Sequence, residues 1–349
     1  MKLLIITQKV DCADPILGFF HQWVEEFAKH CESVIVICLQ KGEYDLPKNV
    51  RVLSLGKEKV KSLKKLTYIF IFFRFIWRER KNYNTIFVHM NPIYAVLGGI
   101  VWRMQNKRIG LWYAHKSVDV KLRAAEKMVH VIFTPSMRSF RIESNKKYVV
   151  GHGIDTDMFA PAKRPPHTLS LLSVGRIAPV KNYETLISAV KKLANRGISA
   201  HARIIGIPIT PEDHKYAEQL RFFVRNQGLE SLVTFAGAVS QTHVPNEIHD
   251  ATIFINMSKT GSLDKAVLEA MSCGILILTS NEGFRDILGN DMSIFTFTDE
   301  SDLADKIIYL QNLSQIEKNT LTARLRATIL EKHDLKKLIP NIISHYATS

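Results

Sequence analysis

Two cations and one carboxylate in the second half of the sequence have the types and surroundings of ligand-binding side chains. Arg176 and Lys181 stand five positions apart in the loop that follows a predicted strand, Ser170–Gly175. A forked guanidinium and a point-charge ammonium together suit a diphosphate, and the N-terminus of the next helix adds free N–H groups. Glu269 interrupts an otherwise apolar helix face, where a carboxylate is costly to bury unless polar groups such as hydroxyls meet it.

A loop of small and polar residues leads into the helix that carries Glu269. It begins at Ser258, directly after a predicted buried strand, Ile253–Met257. Such a loop can offer backbone N–H groups to an anion at the start of the following helix. The positions predicted to bind the same ligand as Arg176 and Lys181 are Gly206, Gly261, Ser262, Leu263, Lys265 and Glu269.

These residues must be positioned by alternating strands and helices, which the sequence predicts along its whole length. Short apolar runs such as Ser33–Leu39 alternate with segments of helical spacing such as Phe19–His30. This alternation is typical of βα units and parallel sheets, in which ligands bind at the carboxyl ends of the strands. At 349 residues, of which 46% are hydrophobic, the chain can form two such domains.

The first half offers weaker candidates at its own predicted strand ends. His115 follows the strand Ile109–Tyr113, where an imidazole can hydrogen-bond a sugar or a phosphate, although a lone histidine is more often structural. A glycine on the first strand-to-helix loop lets a ligand approach the backbone closely. The remaining first-half candidates are Asp11, Asp14, Gly18, His21 and Asn91.

The positive charge of the chain is confined to its first half. Residues 1–165 hold 28 Lys and Arg against 14 Asp and Glu, whereas residues 166–349 hold 19 of each. An asymmetry of this kind indicates an acidic partner, either nucleic acid or anionic lipid, or a basic surface that simply keeps the protein in solution. No nucleic-acid-binding motif is recognisable, so nucleic acid is disfavoured.

The segment Lys57–Lys81 has an excess of aromatic side chains between basic ends. A helix that only packs on a sheet shows a narrower apolar stripe, whereas aromatics flanked by cations suit a helix at an anionic membrane surface. A broad buried helix with solvated ends is the alternative, and the basic first half favours membrane contact. The residues predicted to contact the membrane are Lys64, Lys65, Phe72, Phe73, Trp77 and Arg78.

Several functional classes are disfavoured by what the sequence lacks. The four cysteines form no C-x-x-C pair and have no zinc spacing, and no metal cluster, Walker loop or G-x-G-x-x-G fingerprint is apparent. The N-terminus has no signal-peptide pattern, and no apolar run reaches the roughly 18 residues of a membrane span. We therefore expect a cytoplasmic protein with reduced thiols and no metal site.

Three segments resemble those of the family-4 retaining, nucleotide-sugar-dependent glycosyltransferases, the glycosyl transferases group 1. His152–Phe159 (HGIDTDMF) resembles the turn that leads out of that family's first domain. The stretch SVGRIAPVKNYETLISAV resembles its phosphate-binding segment, and VLEAMSCGILILTSNEG resembles its donor-binding helix. The resemblance is strongest over Val149–Ile287, and the three loops match in order and spacing.

The resemblance implies the GT-B fold, an α/β architecture of two Rossmann-like doubly wound domains that face each other across a cleft. We expect an N-terminal acceptor-side domain over residues 1–160 and a C-terminal nucleotide-sugar-binding domain over residues 168–333. The proline-rich residues 161–167 are predicted to be a stiff linker. The last helix, residues 334–349, is expected to cross back to the first domain.

The same resemblance implies the roles of individual residues. Arg176 and Lys181 match the cations that hold the donor diphosphate, and Glu269 matches the glutamate that holds the ribose. His115 matches the strand-end histidine that lines the donor sugar, which it would position. Gly18, on the first loop, is counted among the donor-binding residues. Asp11, Asp14, His21 and Asn91 are assigned to the acceptor side.

One departure from the family concerns a second glutamate, which normally stands eight positions before the ribose-binding one. Gly261 occupies that position here. The role of the missing carboxylate therefore does not carry over. Asp264, Lys265 or the N–H groups of the loop are candidates to replace it.

The function that the resemblance implies is transfer of a hexose from a UDP- or GDP-sugar to a lipid-linked or cell-envelope acceptor. The reaction is expected to be a front-side displacement that retains the anomeric configuration and needs neither metal nor other cofactor. We expect the protein at the inner face of the membrane, with an anionic membrane surface as partner and no nucleic acid. The alternatives are a sugar-nucleotide epimerase of the same fold and a non-catalytic basic binding module.

Overall fold

A computed structural model of the chain describes residues 1–59, 65–162 and 168–347. The chain divides into two compact units. The first consists of Met1–Asp155 together with His333–Ser349, and the second of Thr156–Lys332. The predicted linker lies mostly outside the described residues.

The first unit is built on a parallel sheet of seven strands in the order β3-β2-β1-β4-β5-β6-β7. Its central strands are apolar throughout and buried, as expected of strands covered on both faces. The strands are β1 (Lys2–Val10), β2 (Ser33–Lys41), β3 (Val50–Ser54), β4 (Thr85–His89), β5 (Arg108–Trp112), β6 (Val131–Thr134) and β7 (Lys147–Val149).

Four helices connect these strands: α1 (Phe19–His30), α2 (Lys65–Arg78), α3 (Pro92–Met104) and α4 (Val120–Met128). The sequence also predicts a helix over Ser136–Ile142, and this prediction is wrong. Only a 3₁₀ turn, Met137–Ser139, forms there. Phe140 follows it in an extended conformation and is fully buried, so that its side chain fills the core instead of extending a helix.

The second unit is built on a parallel sheet of five strands in the order β10-β9-β8-β11-β12. The strands are β8 (Ser170–Val174), β9 (His201–Ile205), β10 (Val233–Gly237), β11 (Ile253–Asn256) and β12 (Leu276–Thr279). The helices are α5 (Tyr183–Asn195), α6 (Pro211–Asn226), α7 (Val244–His249), α8 (Lys265–Ser272), α9 (Arg285–Leu288), α10 (Met292–Phe295), α11 (Glu300–Asn312) and α12 (Gln315–Lys332). Both sheets therefore have the doubly wound Rossmann-like order, which confirms the predicted fold class.

The last helix, α13 (Leu335–Ala347), belongs to the first unit. Its Leu338, Ile339 and Ile342 lie in the core formed by α1 and one face of the first sheet. The hydroxyl of Tyr346 donates to the carbonyl of Ile86 in β4 at 2.9 Å. The final helix therefore completes the core of a unit whose other elements all come from the start of the chain.

The aromatic segment predicted to meet a membrane forms α2, and its residues divide between two faces. Phe72 is fully buried against Tyr94 and Trp102 of α3, so its prediction as a membrane-contacting residue is wrong. Trp77 is exposed, as are Lys65 and Arg78, and Phe73 is half-buried. Lys64 lies outside the described residues. Within the described chain, no helix is long and apolar enough to cross a membrane.

Candidate functional site

The strand order of the second sheet reverses direction between β8 and β11, which makes this the expected ligand site of a doubly wound sheet. The loops that leave these two strands carry the residues singled out by their chemistry. Lys181, in a 3₁₀ turn after β8, forms an ion pair with Asp264, which immediately precedes α8. The structure therefore joins two loops whose residues lie more than eighty positions apart in the sequence.

Arg176 lies in the same loop as Lys181 and is exposed. Its Nε lies 3.7 Å from Oδ2 of Asp213, a buried carboxylate in the first turn of α6. Asp213 also accepts hydrogen bonds from the backbone N–H groups of Thr210 and Ile209. Burial opposes its ionisation, yet these N–H groups and the Arg176 charge hold the pKa of Asp213 below its ordinary value. Arg176 thus has an anchor and an accessible guanidinium.

Glu269 is buried on α8, which it shares with apolar core residues. Its Oε1 accepts a hydrogen bond from Nε2 of Gln241 at 2.7 Å and another from Nζ of Lys265, one helical turn earlier. The carboxylate is therefore compensated by a lysine pair, which is the ordinary structural explanation, and by a second loop. Gln241 follows β10 in a polar stretch, Ser240–His243, and sequence reasoning did not identify it.

Asn281, after β12, fixes the small-residue loop in front of α8. Its Oδ1 accepts from the N–H groups of Gly261 at 3.1 Å and Gly283 at 2.9 Å, and its Nδ2 donates to the carbonyl of Ser262 at 2.7 Å. The N–H of Gly261, predicted to serve a ligand, is thus used inside the protein. Asn281 is a further residue that the sequence did not single out, beyond marking a turn.

Two serine hydroxyls of this loop are left without a partner among the described residues. Oγ of Ser258 and Oγ of Ser262 are buried and make no hydrogen bond there. Buried polar atoms are usually paired, because leaving one unpaired costs free energy. The loop therefore has hydrogen-bonding capacity available for a ligand.

Glycines stand at the carboxyl ends of three neighbouring strands. Gly206, after β9, has a φ of +145°, and a Cβ there would lie 1.9 Å from the carbonyl oxygen of Gly175, after β8. The N–H of Gly206 donates to the carbonyl of Gly237, the last residue of β10. Only glycine permits this close approach of the strand ends, so the role of Gly206 is at least steric.

The first sheet reverses its strand order between β1 and β4, and the chemistry at that point is different. Oγ1 of Thr7 and Nδ1 of His89 are 3.1 Å apart, and the His89 ring stacks on Phe20 with centroids 3.9 Å apart. Burial, with a smaller effect from nearby His152, lowers the pKa of His89 to about 3. His89 is therefore neutral at physiological pH.

The predicted residues of the loop after β1 form a compact charged cluster. Nζ of Lys9 lies 2.9 Å from Asp11 and 2.6 Å from Asp14, and Asp14 also accepts from the N–H groups of Ile16 and Leu17. These contacts give both carboxylates a local structural role. A Cβ on Gly18 would lie 2.5 Å from the carbonyl oxygen of Asp14, so the loop needs glycine there for packing.

The other first-half candidates are spread over neighbouring elements. Asn91 follows β4 and precedes α3, whereas His115 follows β5. His115 is exposed, and its Nδ1 accepts from the N–H of Ser117. His21 is buried in α1, where Nε2 accepts from the N–H of Asp45. These contacts make His21 a structural residue, while Asn91 and His115 remain at the carboxyl edge of the sheet.

The second-unit site can bind an anion through Arg176 and Lys181 and hydroxyl groups through Glu269. Among the described residues, no three His, Cys, Asp or Glu side chains are grouped so that they can hold a metal ion. Two Rossmann-like units, one with paired charges at its switch point, define an α/β protein with a site of the kind that binds phosphorylated ligands.

Comparisons with known proteins agree with this class. The sequence model of the family described as "Glycosyl transferases group 1" matches residues 155–324. Through this stretch, which covers most of the second unit, the chain belongs to the glycosyl transferases group 1.

Two curated relatives share the same part of the chain. A phosphatidylinositol N-acetylglucosaminyltransferase polypeptide from Arabidopsis thaliana is 26% identical over 165 residues, which are 46% of this chain and 36% of the relative. A mouse GDP-Man:Man(3)GlcNAc(2)-PP-Dol alpha-1,2-mannosyltransferase is 27% identical over 186 residues, 50% of this chain and 37% of the relative. The match thus spans little more than a third of the length of these relatives.

Solved structures match the whole chain. Anabaena HepE, crystallised with UDP and glucose, has a TM-score of 0.80 at 16% identity, covering 100% of both chains. Sucrose-phosphate synthase from Thermosynechococcus elongatus has a TM-score of 0.76 at 14% identity, covering 99% of this chain and 98% of the other. At these identities the likeness concerns the fold, which is the two-domain GT-B fold.

Proposed function

We propose that the protein transfers a sugar from a nucleotide-sugar donor to an acceptor hydroxyl. The observation that carries this proposal is the convergence of Lys181 and the Asp264–Glu269 helix start at the switch point of the second sheet. Arg176 and Lys181 supply the positive charge that a diphosphate needs, and Glu269 supplies a carboxylate for ribose hydroxyls. Membership of the glycosyl transferases group 1 supports the same chemistry.

The proposed reaction is a front-side displacement with retention. The bond between the anomeric carbon and the diphosphate oxygen breaks, while the acceptor oxygen forms a bond to that carbon on the same face. The acceptor proton passes to the departing diphosphate. Arg176 and Lys181 stabilise the negative charge that develops on this leaving group, which is the task a metal ion performs in other phosphate chemistry. We propose that these two cations make a metal cofactor unnecessary.

The donor is proposed to be a UDP- or GDP-sugar. Two similarities support this choice: HepE was solved with UDP, and the name of the mouse relative specifies GDP-mannose. A panel of UDP- and GDP-sugars, scored by thermal shift and by nucleotide release, tests the donor directly.

Replacement of Arg176 or Glu269 by alanine is expected to lower kcat/KM by about 10²- to 10³-fold, because each removes a charged contact to the donor. Arg196→Ala is the matched control for Arg176, since Arg196 pairs with Asp305 on the surface of the same unit. Full activity in both site variants would contradict the proposed site. Formation of a free, epimerised nucleotide sugar, seen by NMR, would indicate an epimerase instead.

We further propose that the first unit contacts an anionic membrane through α2 and α3. Leu66, Phe70, Phe73 and Trp77 follow helical spacing, which places them on one face of α2. Leu66, Phe70 and Trp77 are 60% exposed or more, and α3 adds the exposed side chains of Ile100 and Met104. Exposed apolar residues grouped in this way are typical of an interaction surface.

Basic side chains around this surface favour an anionic lipid as its partner. Arg74 and Arg78 are exposed on α2, and the guanidinium of Arg80 lies 4.7 Å from the centre of the Trp77 ring. The charge excess of the first half has the same sign. An acceptor embedded in a membrane, such as a lipid-linked glycan in envelope biosynthesis, and a cytoplasmic location at its inner face would follow.

Vesicle sedimentation tests the membrane contact. Phe70→Glu and Trp77→Glu are expected to reduce sedimentation with phosphatidylglycerol vesicles about tenfold, because each removes a large apolar contact. Phe222→Glu is the control, since Phe222 is an exposed aromatic residue of α6 in the second unit. Equal sedimentation of all variants would contradict the proposal.

A further inference from the structure

Asp264 occupies the N-cap position of α8 but does not cap the helix. Its backbone is extended, with φ of −87° and ψ of 117°, and its side chain makes no capping hydrogen bond. An aspartate at this position usually accepts an N–H of the first turn, which contributes about 1 kcal/mol. Its carboxylate is therefore oriented by other contacts.

Those contacts are two hydrogen bonds to the same oxygen. Oδ2 of Asp264 accepts from Nζ of Lys181 and from Nδ2 of Asn256 at 3.0 Å. Both partners of the ion pair are mostly buried, with 20% of the Lys181 side chain and 14% of the Asp264 side chain exposed. The pair is consequently better shielded from water than the surface pairs of this chain.

A buried relay of hydrogen bonds fixes the asparagine that orients Asp264. Oδ1 of Asn256 accepts from Oγ1 of Thr279 at 3.0 Å, and Thr279 Oγ1 accepts from the N–H of Asn281 at 3.1 Å. Because the amide oxygen of Asn256 is engaged, its NH₂ group must face Asp264. The relay connects the ion pair to Asn281, the residue that fixes the Gly261–Ser262 loop.

The lysine end of the pair is held as well. A Cβ on Gly175 would lie 3.2 Å from Cε and 3.3 Å from Nζ of Lys181. The tip of the lysine therefore packs directly over the glycine backbone at the end of β8. Both partners lie in fixed positions at the switch point.

From this geometry we propose that Asp264 is a positioning residue that holds Lys181 until the donor diphosphate takes the ammonium group over. This inference rests on the proposed function. The diphosphate and the carboxylate compete for one ammonium group, and their negative charges repel each other at short range. Asp264 thereby orients Lys181 for the leaving group and weakens the binding of the nucleoside diphosphate product, which aids its release.

The test is binding of UDP and GDP, compared with uridine and guanosine, to the full chain with Asp264→Asn. Asparagine is also a good N-cap residue, so α8 should still form, and Asp264→Ser provides a second such variant. We expect the diphosphate Kd to fall about three- to tenfold, because one repelling charge is removed, while the nucleoside Kd stays unchanged. In turnover, KM and kcat should both fall.

Asp305→Asn is the matched control, because it makes the same change of charge at an exposed pair of the second unit. In a Lys181→Met background, Asp264→Asn should tighten diphosphate binding less, because the exchange partner is gone. Unchanged or weaker diphosphate binding in both Asp264 variants would overturn the inference while leaving the proposed function intact. Failure of the unaltered protein to bind any nucleoside diphosphate would overturn both.

Discussion

The two sheets have the same strand order at their switch points but different side chains there. In the first unit, a neutral contact between Thr7 and His89 bridges the ends of β1 and β4 at 3.1 Å. In the second unit, the Lys181–Asp264 ion pair bridges the loops after β8 and β11. Topology thus determines where a ligand can bind, whereas the side chains determine which chemistry it meets.

The difference in burial has the same meaning. His89 is 3% exposed and stacked on aromatic rings, so it is suited to stay neutral. Lys181 and Asp264 keep part of their charge in contact with water, where an anionic ligand can exchange with one of them. The second unit is therefore the one equipped for a charged donor.

The largest expected effect concerns the strand ends of the second sheet. Gly206→Ala should destabilise the second unit by about 3 kcal/mol or more, because the new Cβ would overlap the Gly175 carbonyl. All four tryptophans lie in the first unit, so calorimetry should detect the loss while the tryptophan-monitored transition changes little.

Gly197→Ala is the control for this change. Gly197 also has a positive φ, +78°, but open space surrounds its Cβ position, so only about 1 kcal/mol should be lost. Equal losses in the two variants would mean that the close approach of β8 and β9 is unimportant.

The next effect concerns the neutral histidine of the first unit. Because folding lowers the pKa of His89 from 6.5 to about 3, the unfolded chain binds more protons between these values. The stability of the first unit should therefore be complete above pH 6.5 and fall with pH, by about 2 kcal/mol from pH 7.5 to pH 5. Urea unfolding followed by tryptophan fluorescence measures it.

His89→Gln should remove this part of the pH dependence, since glutamine does not titrate but can still pair with Thr7. Parallel pH profiles for the variant and the unaltered protein would show that the His89 ring is protonated in the folded state. The two switch points would then differ less than the structure indicates.

The smallest effect concerns the charged cluster of the first unit. Burial opposes ionisation of Asp14, but hydrogen bonds from Lys9 and from the N–H groups of Leu17 and Ile16 outweigh it and lower its pKa. Asp14→Asn should therefore cost about 1 kcal/mol at pH 7. The difference should shrink as the pH falls below the ordinary value of 3.8, because the folded carboxylate then becomes protonated and loses its charged contacts. A difference independent of pH would assign the effect to packing.

The sequence was sufficient to predict the fold class and the loops that meet at the second switch point. Strand alternation and the order of the motifs are local signals, which survive without knowledge of contacts. The two-domain Rossmann-like fold is confirmed, whereas the donor and acceptor roles of individual residues stay predictions.

Contacts that depend on side-chain direction were not predictable. Gln241 and Asn281 contribute through hydrogen bonds to Glu269 and to the loop at Gly261, and each stands alone in its own stretch. The faces of α2 were assigned wrongly at Phe72, because a helix with apolar residues nearly all around gives no periodic signal to orient it.

The position of α13 has a consequence for how the protein is made. The second unit is one continuous stretch, Thr156–Lys332, so it can fold as soon as that stretch has left the ribosome. The first unit is synthesised earlier, yet its core lacks Leu338, Ile339, Ile342 and Tyr346 until the final helix emerges. The second unit is therefore able to complete its core first during synthesis, although it comes later in the sequence.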